Sequence, residues 1–124
     1  MIFKYPNGQP YLSEGSPSLP KKNKYHARKT EVDGILFDSA HEAKRYGELR
    51  FNLLAGNIQN LRLQVPYVLI PKSEYGGKIE YIADFVYEEN GRVIVEDAKG
   101  VRTPVYKLKK RLMAELYGIK IKET

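Results

Sequence analysis

The sequence predicts an α/β domain in which a mixed sheet is flanked by helices, because three patterns occur in a fixed order. Apolar alternation from Ile79 to Gly100 folds back at Glu88, Glu89, Asn90 and Gly91; apolar residues at helical spacing precede it at Tyr46, Leu49 and Leu53; a second helical pattern opened by Thr103 and Pro104 follows. With one more strand before and one after this hairpin, the order is αβββαβ. A crossover through the second helix then lays the last strand parallel to one of the first three. At 124 residues the chain is expected to form a single domain over 25–124, after an irregular arm over 1–24.

The arm carries Pro6, Pro10, Pro17 and Pro20 among glycines and serines, shows no sustained periodicity and ends in Lys21, Lys22 and Lys24. Its basic end reads either as a solvated linker or as a strap along a phosphate backbone or a second subunit. Tyr25 to Asp38 reads as a small β-hairpin turning at Asp33 and Gly34. Ser39 opens a helix that runs to about Ala55 and stops at Gly56 and Asn57. Glu42 lies one turn before Tyr46 on the core-facing stripe. Ser39 and Glu42 also form a capping-box pattern, so this acid has two readings, a cap or a group delivered to a site.

Residues 61–70 form the next strand, where Pro66 favours an edge or a bulge; Gln64 within it could line a site, but a solvent-facing strand position is the preferred reading. In the hairpin that follows, alternation places Val93, Val95, Asp97 and Lys99 on one face, and Ile94, Glu96 and Ala98 on the other. On the partner strand it aligns Asp84 with Ile82 and Val86. The second helix, capped by Thr103 with Pro104 in its first turn, should run to about Tyr117 and bury Val105, Leu108, Leu112 and Leu116. Gly118 ends it, and Ile119 and Ile121 begin a short terminal strand.

A formal charge of +6 favours a polyanionic partner such as nucleic acid or an acidic membrane surface. No cysteine is present, which excludes disulfides and thiolate metal sites and suits a reducing compartment. No apolar run reaches membrane-spanning length and no secretory signal opens the chain, so a cytoplasmic protein is expected. His26 and His41 lack partners at zinc-site spacing.

Burying a lone carboxylate costs several kcal/mol unless a cation compensates it, so Asp84 within an apolar row points to a charge partner. Asp84 and Asp97, on adjacent strands, could share one Mg2+ or Mn2+, with the Ala98 carbonyl as a third ligand. Such an ion supplies much of what phosphodiester hydrolysis requires. Lys99 would orient the attacking water, lower its pKa or stabilise transition-state charge, and Glu42 could ligate directly or through water. From Lys99 to Arg111 the chain carries Arg102, Lys107, Lys109, Lys110 and Arg111 and no acid, either a DNA-backbone surface or the outward face of an amphipathic helix.

These residues carry a family resemblance. Ala83 and Asp84, followed across a hairpin by Asp97, Ala98 and Lys99, with helical Glu42 upstream and the αβββαβ order, resemble the PD-(D/E)XK nuclease superfamily. The run from Tyr25 to Leu112, including Gly34 to Ser39, Glu42 and Ala43, Ala83 to Phe85, Glu96 to Gly100, Thr103, Tyr106 and Lys107, resembles a family of small phage and prophage nucleases within it. Ala83 departs from the nominal proline. The resemblance implies a restriction-endonuclease-like core in which Asp84 and Asp97 bind metal, Lys99 is catalytic and Glu42 completes the site. It further implies a metal-dependent DNA endonuclease resolving branched DNA, such as Holliday junctions, in phage replication or recombination within a bacterial cytoplasm. Two equivalent cuts call for a homodimer. A nicking or less specific duplex or flap nuclease is the nearest enzymatic alternative. A DNA-binding protein whose nuclease-like fold does not cut is the alternative from another class.

Overall fold

A computed structural model of the chain describes residues 29–98 and 102–124. The irregular arm with Lys21, Lys22 and Lys24, as well as His26 and Lys99, lies outside the described residues. The domain opens with a small antiparallel hairpin, β1 (Thr30–Val32) and β2 (Ile35–Phe37). Asp33 (φ 53°) and Gly34 (φ 75°) both take the left-handed conformation between them, as a two-residue type I′ turn requires. Helix α1 (Ala40–Leu54) follows, with Ser39 in extended backbone accepting the Glu42 amide at 3.1 Å.

Strands β3 (Gln59–Ile70), β4 (Ile79–Glu89) and β5 (Arg92–Asp97) form an antiparallel meander, its second turn made by Asn90 (φ 53°) and Gly91 (φ 76°). Helix α2 (Pro104–Tyr117) is capped by Thr103 and ends at left-handed Gly118. It returns the chain to β6 (Lys122–Glu123), which lies parallel to β5 in a sheet of order β3-β4-β5-β6. After the hairpin the order is αβββαβ, with one parallel crossover. No helix among the described residues is long and apolar enough to cross a membrane.

Two apolar clusters sandwich the sheet. On the α1 side, Tyr46 and Leu49 pack on Leu61, Leu63, Phe85 and Tyr87; on the α2 side, Tyr106 and Met113 pack on Val65, Tyr81, Ala83, Val86 and Val95. Odd-numbered residues of β3 and β4 therefore exchange faces part-way along. Leu63 and Phe85, a cross-strand pair, belong to the α1 cluster; Val65 and Ala83, the next pair, belong to the α2 cluster. The reversal falls at Gln64 and Asp84. It corrects the alternation that aligned Asp84 with both Ile82 and Val86: Val86 packs toward α2, whereas Ile82 is 43 % exposed.

The buried stripe of α2 also differs from expectation. Tyr106 and Met113 are buried and Leu112 is half-buried, whereas Val105, Leu108 and Leu116 remain exposed. Polar anchors turn the helix: the Tyr106 hydroxyl donates to Glu123 at 2.7 Å, and Arg102, just before the cap, binds Asp97. Both stripes satisfy helical periodicity, and the tyrosine's need for a hydrogen-bond acceptor at its buried tip decides between them.

Candidate active site

Glu42, Asp84 and Ala98 meet where the strand faces reverse, and Asp97 lies one residue before Ala98 with its side chain on the α2 side. Glu42 enters from the first turn of α1, and its side chain is buried although Ser39 caps the same turn. Capping and delivery to the site thus coexist, because the cap uses the Glu42 amide and leaves its carboxylate to reach inward. Asp84 comes from the centre of β4 and is as buried as Glu42, each 2 % exposed.

Gln64 joins these two acids. Its side-chain amide donates to Glu42 Oε1 at 3.5 Å and to Asp84 Oδ1 at 3.4 Å. The expectation of a solvent-facing Gln64 is therefore corrected: at the face reversal its side chain turns onto the acids. Its backbone is left-handed, φ 53°. The other non-glycine residues in that region among the described ones are Asp33, Asn60 and Asn90, types that tolerate it; a glutamine inside a strand is the exception. The other oxygen of Asp84, Oδ2, accepts the Ala98 amide at 2.8 Å, so β4 is tied to the end of β5 by a side chain where the regular ladder has stopped.

Asp97 is fully buried and faces α2. The Tyr81 hydroxyl donates to its Oδ2 at 2.8 Å and Arg102 to its Oδ1 at 2.7 Å. Burial, then the charge and hydrogen bond of Asp97, then the charge of Asp84, push the Tyr81 phenol far above its ordinary range and fix it as a donor. Asp84 and Asp97 thus both act on one hydroxyl while holding separate hydrogen-bond partners. Glu96 points the other way, as alternation predicted, and binds Arg45 and Tyr87 on the α1 side.

Of the expected DNA-binding cations, Lys107 and Arg111 are exposed. Lys109 is half-buried. Lys110 pairs with Glu123 at 3.2 Å, and Arg102 bridges Asp97 and Glu123 while lying 5.3 Å from the Tyr106 ring centre. These two cations contribute first to the fold around the site.

Among the described residues no group of three or more acidic or histidine side chains is close enough to enclose a metal. The donors present are nevertheless of the right kind for a hard ion: two buried carboxylates converge on one small amide group, with a third carboxylate, Asp97, one residue before the amide that Asp84 accepts. Mg2+ commonly takes one or two carboxylates and keeps several waters, so a complete protein cage is not required. Tyr81 and Arg45 were not legible as support residues, and Gln64 was legible only as a polar strand residue that could line a site, the less favoured of its two readings. Only Pro66, which signalled an irregular strand, hinted at the reversal that brings Gln64 inward.

No curated protein and no solved structure matches the chain. Residues 22–123 match the family described as "Protein of unknown function (DUF1064)", and the chain belongs to that family.

Proposed function

We propose that this chain is a divalent-metal-dependent DNA endonuclease that acts on branched DNA and works as a homodimer. The observation that carries the reading is the convergence of Glu42 and Asp84 on one amide, with Asp84 tied to the backbone that follows Asp97. In this reading Glu42 and Asp84 hold Mg2+ or Mn2+, which would supply a Lewis acid and an activated water. Asp97 would join them by exchanging its Arg102 contact for the ion, with Tyr81 fixing the orientation of its carboxylate. Lys99 is assigned to the attacking water by its place two residues after Asp97. Exposed Lys107 and Arg111 take phosphate contacts that position the duplex without reading its bases. Two cuts across a junction need two active sites, hence a second copy of the chain.

The direct experiment incubates the protein with labelled four-way junction, flap and linear duplex in Mg2+, in Mn2+ and in EDTA. Paired, metal-dependent incisions in the junction are expected. Cutting of all three substrates favours the less specific nuclease. Retention of DNA without scission in every metal condition supports the alternative that the Arg102–Asp97 contact favours, a DNA-binding protein whose third acid is held by a cation instead of a metal.

A further inference from the structure

The proposed metal centre leaves Gln64 without a role, although its backbone is the most unusual in the sheet and its side chain touches both leading acids. A carboxamide carries donor hydrogens on nitrogen and lone pairs on oxygen, and a half-turn about its last side-chain bond exchanges them. The nitrogen faces Glu42 Oε1 and Asp84 Oδ1 at 3.5 and 3.4 Å, the long end of hydrogen-bond geometry. That position, between two anionic oxygens, is one that a cation would also favour. We propose that Gln64 is a metal ligand: lying between Glu42 and Asp84, it would present its carbonyl oxygen, brought in by a half-turn of the amide, to a divalent ion held by the two carboxylates. Neutral amide oxygens are ordinary ligands for hard cations. The left-handed φ of Gln64 fits this role, since it swings the side chain out of the alternation that would otherwise carry it to solvent.

The inference rests on the metal-dependent reading above, and one titration separates the two. Mn2+ uptake is measured by calorimetry and by water-proton relaxation, without DNA, on the wild type, Gln64→Leu, Gln64→Glu and Asp84→Asn, each first shown to unfold cooperatively. Gln64→Glu is close in shape to the native side chain, so the test does not depend on Gln64→Leu folding. Ligation predicts Mn2+ affinity about 10- to 100-fold weaker in Gln64→Leu and at least as tight as wild type in Gln64→Glu, which keeps a ligating oxygen, loses the donor and adds a negative charge. Weakening in both variants makes Gln64 a donor that merely braces the acids, and overturns the ligand role. Wild-type affinity in both, with binding lost in Asp84→Asn, also overturns it while leaving the metal centre intact. A wild type that takes up no Mn2+, or an Asp84→Asn variant that binds as the wild type does, sinks the metal centre itself and the inference with it.

Discussion

Glu96 and the Glu42–Asp84 pair are buried acids bordering the same sheet, but their surroundings differ in kind. Glu96 accepts from Arg45 Nε at 2.7 Å and Nη2 at 2.8 Å, from the Tyr87 hydroxyl at 2.8 Å and from Thr124 Oγ1 at 3.3 Å. Arg45 is in turn held charged, first by its hydrogen bonds to Glu96 and against the opposing effect of its own burial. A bidentate guanidinium with short, complementary contacts is a finished structure that locks α1 and the C-terminus to β5. Glu42 and Asp84 instead share one neutral amide at 3.4 to 3.5 Å. Glu96 thus meets a full positive charge through short bonds, whereas Glu42 Oε1 and Asp84 Oδ1 meet a neutral, rotatable amide, and Asp84 Oδ2 is fixed by the Ala98 amide at 2.8 Å. In the proposed reading, then, it is the kind of partner and not burial that separates Glu96 from the Glu42–Asp84 pair assigned to the reaction.

Glu42→Gln should give the largest separation. Cleavage is expected to fall about 100- to 1,000-fold, the usual cost of deleting one preorganised electrostatic group, with a much smaller change in melting temperature. Single-turnover cleavage measured beside thermal unfolding checks this, and equal losses in both would make Glu42 a structural acid like Glu96. Arg45→Met is the converse. It leaves Glu96 buried without its cation and should cost about 3–5 kcal/mol of stability in denaturant titration, while cleavage well below the melting point persists. Abolished cleavage in a folded Arg45→Met protein would erase the contrast between the two acid groups.

The remaining predictions sharpen the picture around the site. Lys107→Ala should weaken DNA binding alike across sequences and reduce the slope of log affinity against log salt by about 1, read by gel shift at several salt concentrations. The smallest effect belongs to Glu123, whose carboxyl the Tyr106 hydrogen bond above all, and then Lys110 and Arg102, hold below its ordinary 4.5. A carboxylate with a pKa lowered by folding contributes stability that is present above its unfolded pKa and is lost as pH falls through the folded one. Glu123→Gln should therefore melt slightly below the wild type at neutral pH, and the two curves should meet as pH drops below about 4.5.

How much of this was legible in the chain depended on range. The turns at Asp33–Gly34 and Asn90–Gly91, the caps at Ser39 and Thr103 and the stop at Gly118 are local chemistry, and each was read correctly from neighbouring residues. The opposed directions of Glu96 and Asp97 followed from alternation within an uninterrupted strand. Alternation failed at Gln64 and Asp84, where two strands exchange faces together and no single-strand rule applies. It failed again on α2, which carries two apolar stripes and is turned by long-range bonds from Tyr106 to Glu123 and from Arg102 to Asp97. The roles of Gln64, readable only as one of two alternatives, and of Tyr81 were hidden for the same reason. Their importance lies in partners 20 and 16 residues away, and composition at their own positions gives no sign of it.

Cleavage of a labelled four-way junction in Mn2+ by the wild type, Asp84→Asn and Asp97→Asn, with junction binding followed in parallel, tests the central claim most directly. The account predicts that both variants still retain the junction and that neither cuts it. Cutting at the wild-type rate by either folded variant would contradict the assignment of these carboxylates to the reaction.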